Sequence, residues 1–212
     1  MKPNRVVVPS DPGVLEQNRE KWRKLLDQGA IFVFPTETLY GIGTSAKHDK
    51  GVLKIFELKG RKPDHPLPLI AANPGAAFSM WKNPPDWLAN LARSFWPGPV
   101  TFVFRASENV SRYVTGGRGT VGIRVSPQPI ARLLAELASG AIIATSANVS
   151  GGEPVLEPEE LSESFRKGVD VIIDVGPLSS KTPSTVVDCT IYPPKLIREG
   201  VVPFSEILKA LT

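Results

Sequence analysis

The order of strand-like and helix-like segments is the feature of this sequence that most limits its fold. Short apolar runs rich in Val, Ile and Phe alternate with stretches that repeat apolar residues at helical spacing. Several apolar runs follow one another without a helical stretch between them, whereas a doubly wound parallel sheet needs a helix after nearly every strand. The sequence therefore predicts an α/β fold in which helices pack on a twisted mixed β-sheet.

The predicted elements cover most of the chain. The first helix is capped by Asp11, has Pro12 at its first helical position and runs to Gly29. A helix over 49–59 stops at Gly60, because glycine readily adopts the left-handed conformation that ends helices. Further helices are predicted at 85–95, 128–139, 158–167 and 203–211, and strands at 30–35, 66–71, 99–105, 120–125, 141–145, 171–174, 184–189 and 195–198. An opening loop is predicted after the strand at 30–35.

Composition excludes several classes of protein. The chain has 212 residues, 42% of them hydrophobic and 22% charged, which predicts one globular domain over 1–212. The single cysteine, Cys189, cannot form an intramolecular disulfide, and two histidines are too few for a His-rich zinc site. Charges are spread through the first thirty residues and no apolar run approaches a membrane span. We therefore expect no signal peptide, no membrane contact and a cytoplasmic protein.

Basic residues are concentrated in one stretch of a chain whose net charge is +4. This stretch, over residues 47–62, contains Lys47, Lys50, Lys54, Lys59, Arg61 and Lys62. Such a run forms either a solvated helix face or a surface that contacts phosphates or nucleic acid. The sequence leaves both interpretations open.

A glycine-rich segment over residues 41–46 (GIGTSA) matches the dinucleotide-binding fingerprint G-x-G-x-x-G/A. The fingerprint should follow its strand directly and open a helix at once, but this match begins six positions after the preceding strand's last residue. No acidic residue closes a second strand at the expected distance. The context therefore argues against a dinucleotide-dependent oxidoreductase.

Polar side chains follow apolar strands at three places in the sequence. They are Thr36-Glu37-Thr38, the run from Thr145 in TSANVSG, and Ser184-Thr185. Such groups either cap the next turn or present donors and acceptors to a ligand at the sheet edge. Neither alternative is excluded by these residues alone.

Two further features involve cations. Lys59 and Arg61 flank Gly60 just past a predicted helix end, where they either complement the helix dipole or clamp an anion. Arg124 lies in an otherwise apolar strand and needs a carboxylate partner, from the protein or from a ligand. Hydroxyls, an amide and several cations, without an evident nucleophile–base pair, suit a site that binds phosphates and carboxylates and works by positioning and charge neutralisation.

Taken in order, six motifs resemble those of the YrdC-like family of threonylcarbamoyl-AMP synthases. They are FPTETLYGIG, ELKGRKPDHPLPLIAAN, SFWPGPVTFVF, TVGIRV, ATSANVSG and PSTVVD. The resemblance covers roughly residues 12–200 and implies the short, single-domain form. It implies a twisted sheet with packed helices around a deep, basic concave cavity.

The resemblance also implies a reaction. L-threonine, bicarbonate or CO2, and ATP would give L-threonylcarbamoyl-AMP and pyrophosphate, with a Mg ion accompanying ATP and no tightly bound cofactor. A downstream threonylcarbamoyl transferase complex would then modify adenosine 37 of tRNAs that read ANN codons. An alternative is a YrdC-like protein that binds double-stranded RNA or tRNA and has no synthase activity.

Site residues follow from the same motifs. Lys59 and Arg61 are the predicted catalytic pair. The predicted nucleotide contacts are Lys59, Arg61, His65, Thr120, Asn148 and Arg198, and the predicted threonine contacts are Thr38, Arg124, Ser146 and Ser184. No protein metal ligand is predicted, and Thr36 and Glu37 are expected to support the turn. The chain departs from the family pattern at His65, where many relatives have Asn, and at Ile70, where many have a threonine-binding His.

Overall fold

The computed structural model describes residues 4–7, 12–149 and 151–211. Over these ranges the strands are β1 (Asn4–Val7), β2 (Phe32–Pro35), β3 (Tyr40–Gly43), β4 (Leu69–Ala71), β5 (Val100–Arg105), β6 (Thr120–Arg124), β7 (Ala141–Ile143), β8 (Thr145–Ser146), β9 (Val171–Asp174), β10 (Thr185–Asp188) and β11 (Lys195–Arg198). The helices are α1 (Pro12–Asp27), α2 (Asp49–Lys59), α3 (Pro74–Ser79), α4 (Asp86–Phe95), α5 (Arg112–Thr115), α6 (Pro129–Leu137), α7 (Glu163–Gly168) and α8 (Phe204–Lys209). A 3-10 turn spans Pro158–Glu160.

Most predicted elements are confirmed, and α2 has the predicted bounds. Gly60 follows it with φ 61°, and its N–H donates to the carbonyl of Glu57. The predicted cap Asp11 lies outside the described residues, and α1 ends at Asp27, two residues before the predicted end. The helix predicted at 158–167 is wrong in its first part, because a 3-10 turn and a separate helix, α7, occupy this region.

The loop predicted after β2 is partly wrong, because it contains β3. This strand pairs antiparallel with β2, placing Val33 opposite Ile42. Its sequence, YGIG, is half glycine and gives little strand signal. The sequence also gave no prediction of β1, α3 or α5. Since Gly41 and Gly43 lie inside a strand and α2 begins at Asp49, the glycine-rich segment does not open a helix as a dinucleotide-binding loop would.

The strands form two mixed sheets. The predicted α/β class with mixed strand pairing is confirmed, but the strands form two sheets where one was predicted. The five-stranded sheet has the order β1-β9-β2-β3-β8, and the six-stranded sheet has the order β11-β10-β5-β6-β4-β7. Both contain parallel and antiparallel pairs: β9 runs parallel to β2, and β5 runs antiparallel to β6. Mixed pairing follows from the direct succession of strands without intervening helices.

The two sheets meet at β3 and β7. Ile142 pairs with Ile70 in the six-stranded sheet and also bridges to Ser45, just beyond β3. One residue after β7, the chain enters β8, where Thr145 pairs with Ile42 in the five-stranded sheet. Only Ala144 separates the two strands, so the chain changes sheet within a single residue.

Two apolar clusters hold the layers together. One joins Trp22 of α1, Leu134 of α6 and Phe34 of β2. The other, larger cluster includes Phe56 of α2 and Phe102 of β5, together with side chains from α4 and α7. Each sheet therefore has helices packed against it through buried apolar side chains. None of the described helices combines the length and apolar character that a bilayer-spanning segment requires.

Candidate functional site

A cavity of about 590 Å³ lies where the two sheets meet. Thr101, Gly122 and Val186 contribute from adjacent strands of the six-stranded sheet, while the turn between β2 and β3 and the segment 144–148 line another part. Its volume falls within the range of roughly 300–1,000 Å³ that is usual for small-molecule sites. This cavity is the candidate functional site.

Arginines dominate the charge of the cavity. Four of them line it: Arg61, Arg118, Arg124 and Arg198. Among the described residues in the lining, Asp188 is the one carboxylate, and its Oδ1 accepts hydrogen bonds from the N–H and hydroxyl of Thr190 at 2.9 and 2.6 Å. Basic side chains thus outnumber acidic ones in the lining, which favours an anionic ligand.

The turn between β2 and β3 is organised by Thr36. Its hydroxyl donates to the carbonyl of Leu39 at 2.7 Å and accepts from the N–H groups of Thr38 and Leu39, both at 3.2 Å. The hydroxyls of Thr36 and Thr38 lie 3.1 Å apart. Both side chains are buried and line the cavity. The polar cluster is thus a capped turn and a cavity wall at once.

Arg124 finds its carboxylate within the protein. Its Nε donates to Oε1 of Glu37 at 2.8 Å, and the two side chains are only 7% and 10% exposed. The hydroxyl of Ser126 donates to the other oxygen of the same carboxylate. The sequence predicted the need for this partner but assigned Glu37 only to the support of its turn.

Lys59 lies beneath the Ser146–Asn148 turn and does not line the cavity. Its side chain is fully buried, and its Nζ donates to the carbonyl oxygens of Ser146 and Asn148 at 2.6 and 2.8 Å. Burial, and to a smaller extent the charge of Arg61, lower the pKa of Lys59 to about 7. Lys59 therefore supports a wall of the site from behind.

Asn148 closes the same turn. Its Oδ1 accepts from the hydroxyl of Ser146 at 2.6 Å, while its Nδ2 donates to the carbonyls of Gly152 and Glu153 at 2.6 and 3.0 Å. The side chain thus holds both ends of the segment that follows β8. Because Ser146 and Asn148 also line the cavity, the shape of that wall depends on these bonds.

Ser184, one residue before β10, and Arg198, the last residue of β11, form a polar group. Nη2 of Arg198 donates to the carbonyl of Ser184 at 2.8 Å, and the hydroxyls of Ser184 and Thr101 lie 3.1 Å apart. Burial, followed by the charge of Arg124, lowers the pKa of Arg198. The positive charges of Arg124 and Arg198, which both line the cavity, therefore repel each other.

The structure brings eight of the ten predicted site residues to one cavity. These are Thr38, Arg61, Thr120, Arg124, Ser146, Asn148, Ser184 and Arg198. Lys59 is set back beneath the turn, and His65 is exposed outside the lining, with its Nδ1 2.7 Å from Oδ1 of Asp64. Ile70 is buried within an apolar cluster. Ligand contact by any of these residues stays a prediction.

Several lining residues were not found from the sequence. Arg118 lies in a glycine-rich loop before β6, and Asp188 ends β10. A charged residue at the end of an apolar strand is a usable signal, and it could have identified Asp188. Within the described residues, no three His, Cys, Asp or Glu side chains come together in a way that would hold a metal ion.

Two mixed sheets with packed helices, which meet at a cavity, define this chain as an α/β protein. A family model described as Sua5_yciO_yrdC, "Telomere recombination", matches residues 24–200. The chain belongs to the Sua5/YciO/YrdC family.

Similar proteins extend the comparison. The chain is 39% identical over 197 residues to the threonylcarbamoyl-AMP synthase of Pyrococcus abyssi. This alignment covers 91% of this chain and 58% of the relative. The structure of P. abyssi Sua5 complexed with L-threonine superposes with a TM-score of 0.90 at 37% identity, covering 97% of this chain and 60% of that one. E. coli YciO has a TM-score of 0.84 at 25% identity, covering 99% and 100%. The chain thus spans about three fifths of the P. abyssi protein.

Proposed function

We propose that this chain synthesises L-threonylcarbamoyl-AMP from L-threonine, bicarbonate or CO2, and ATP, with release of pyrophosphate. The observation that carries the proposal is the convergence of four arginines, the Ser146–Asn148 turn and Thr38 on one cavity. The anions of this reaction are a triphosphate, a carbamate and a carboxylate, and arginines are suited to bind each of them. The names and bound threonine of the P. abyssi relatives support the same substrates.

The reaction needs little proton chemistry from the protein. Threonine carbamate, once formed from the amine and CO2, is already an oxyanion. One of its oxygens attacks the α-phosphorus of ATP, an O–P bond forms, and the bond from the α-phosphorus to the oxygen that bridges it to the β-phosphorus breaks as pyrophosphate leaves. Catalysis then depends on alignment and on stabilising negative charge, for which fixed arginines are suited.

We assign these tasks to individual residues as the family resemblance implies. Arg61 and Asn148 would contact the nucleotide, together with Thr120 and Arg198. Thr38, Arg124, Ser146 and Ser184 would contact threonine. We assign Lys59 to holding the Ser146–Asn148 turn, since three of its acceptors belong to that turn. His65, which is exposed outside the lining, would reach the nucleotide only at the rim of the cavity.

Magnesium fits the site as a companion of ATP. Mg²⁺ is usually held by one or two carboxylates and the substrate phosphates, and Asp188 is the carboxylate in the lining. When bound, the ion would neutralise charge on the leaving pyrophosphate. The product would pass to a threonylcarbamoyl transferase complex that acts on tRNA.

Pyrophosphate release tests the proposed function. We expect purified protein to release pyrophosphate and form an AMP-containing product only when threonine, bicarbonate and ATP are all supplied. Serine, alanine and valine, run in parallel, establish the preferred amino acid, which matters because Ile70 replaces a family histidine. Absence of pyrophosphate with every amino acid would contradict the proposal.

RNA binding without synthesis is less well supported. The basic stretch over 47–62 does not form one surface: Lys59 is buried, Arg61 lines the cavity, and Lys54 pairs with Asp170 at 3.3 Å. Lys47, Lys50 and Lys62 are exposed and remain for such a role. A tRNA-binding titration across salt concentrations distinguishes the two functions, because neutralising phosphates gives a steep salt dependence.

A further inference from the structure

Glu37 is placed where it controls Arg124. Its two carboxylate oxygens are divided between two donors: Oε1 accepts from Nε of Arg124, and Oε2 accepts from the hydroxyl of Ser126. Ser126 is itself fixed, because it is fully buried and its Oγ accepts from the N–H of Gln128 at 3.1 Å. Gln128 in turn caps α6 by accepting from the N–H of Ile130. The carboxylate is therefore anchored to a helix N-terminus as well as to the arginine.

The contact leaves a defined part of the guanidinium available. Glu37 binds through Nε, and in a planar guanidinium the edge formed by Nη1 and Nη2 points away from Nε. Within the described part of the chain, no hydrogen bond is made by these two Nη groups. Arg124 lines the cavity and Glu37 does not. The ion pair thus fixes Arg124, a residue of the cavity lining, through Nε and leaves its Nη edge without a hydrogen bond to the described residues.

The pair also has an electrostatic effect. A buried arginine without a counter-charge is costly, and here a second arginine, Arg198, shares the cavity. The Glu37 carboxylate offsets the positive charge of Arg124 without occupying the edge that matches a carboxylate. A planar fork of two N–H groups binds a carboxylate in bidentate fashion.

We propose that Glu37 is a positioning residue for amino-acid recognition: it orients the Nη edge of Arg124 so that this edge binds the α-carboxylate of the substrate. The proposal rests on the proposed function, whose threonine site it deepens. Glu37 touches no substrate atom and acts through Arg124. Its substitution should therefore affect the amino acid far more than ATP.

Three variants test the role of Glu37. Glu37→Ala removes the carboxylate, and Glu37→Gln keeps an oxygen that can accept from Nε but removes the charge. Glu163→Gln makes the same change at an exposed position of α7, where Glu163 pairs with Lys167. We expect KM for threonine to rise about tenfold or more in Glu37→Ala and by less in Glu37→Gln. KM for ATP should change less than about threefold, and Glu163→Gln should match wild type.

Binding without turnover gives an independent measurement. Wild-type protein should bind L-threonine more tightly than L-threoninol, which lacks the carboxylate, in calorimetric titrations. In Glu37→Ala this preference should fall towards unity. In an Arg124→Ala background, Glu37→Gln should change threonine affinity by less than about twofold, because a residue that acts through Arg124 has nothing left to orient.

The outcomes separate the two proposals. Wild-type protein that releases no pyrophosphate and does not prefer threonine over threoninol overturns the proposed function. If wild-type protein releases pyrophosphate and prefers threonine over threoninol, but Glu37→Ala keeps the wild-type KM for threonine, only the role of Glu37 is overturned. Equal increases in KM for ATP and threonine, with a lower melting temperature, would show a structural ion pair and also overturn it.

Discussion

The ammonium nitrogen of Lys59 lies 2.6 Å from the carbonyl oxygen of Ser146, although 87 residues separate them in the chain. A second bond, of 2.8 Å, joins the same nitrogen to the carbonyl of Asn148. These contacts place the last residue of α2 under the turn that lines the cavity. The two cations that flank Gly60 therefore have different positions: Lys59 holds the turn, and Arg61 lines the cavity.

Replacing Lys59 should remove activity through the turn. We expect Lys59→Met to lower the rate of pyrophosphate release by about 100-fold or more, because the carbonyls of Ser146 and Asn148 lose their common donor. Lys62→Met, an exposed change in the same segment, is the matched control and should keep the wild-type rate. A Lys59→Met variant with wild-type kinetics would contradict this role.

Lys59 should also make stability depend on pH. Its pKa is about 7 in the folded protein against an ordinary value of 10.5, so between these values the unfolded chain binds more protons at this position. The free energy of unfolding of wild type should then rise with pH, relative to Lys59→Met, by on the order of 1 kcal/mol per pH unit. Denaturant unfolding of both proteins at pH 7, 8 and 9 measures this difference, and parallel curves would refute it.

Removing the amide of Asn148 should loosen the turn. Asn148→Ala loses hydrogen bonds to Ser146, Gly152 and Glu153, which should lower the free energy of unfolding by about 1–3 kcal/mol and reduce pyrophosphate release strongly. Asn90→Ala, at an exposed position of α4, removes a contact to Arg93 and is the control. Equal stability of the two variants would be inconsistent with the network.

The junction of the two sheets should not tolerate a side chain at Gly43. A Cβ there would lie 1.8 Å from the carbonyl oxygen of Ile143, so Gly43→Ala must push β3 and β7 apart. We expect a loss of roughly 1–3 kcal/mol or more in the free energy of unfolding. Gly41→Ala on the same strand has its nearest atom at 3.5 Å and should change stability little. Thermal unfolding of both variants decides the matter.

Local signals in the sequence were sufficient for most elements. The bounds of α2 follow from its apolar spacing and from Gly60, both of which act within a few residues. β3 was missed because two of its four residues are glycine, and its strand conformation depends on pairing with β2 and β8. Secondary structure that rests on distant pairing cannot be recognised from a local pattern.

The candidate site was predictable in its residues but less so in its contacts. Arg124 required a carboxylate because an unpaired buried cation is costly, yet the chain offers 21 acidic residues and no local rule selects Glu37 among them. Lys59 was predicted to contact the nucleotide beside Arg61, and sequence spacing does not reveal that its side chain is buried. Both corrections come from contacts between residues 87 positions apart.

The single-residue change of sheet at Ala144 has a consequence for how the chain could be cut or extended. An insertion there would separate Ser146 and Asn148 from β7 and would shift them relative to the arginines on the other sheet. The chain also changes sheet between β9 and β10, through residues 175–184, where the segment around 179–182 is half-buried or exposed. New termini or an inserted peptide are therefore compatible with the connection at 175–184 and incompatible with the one at Ala144.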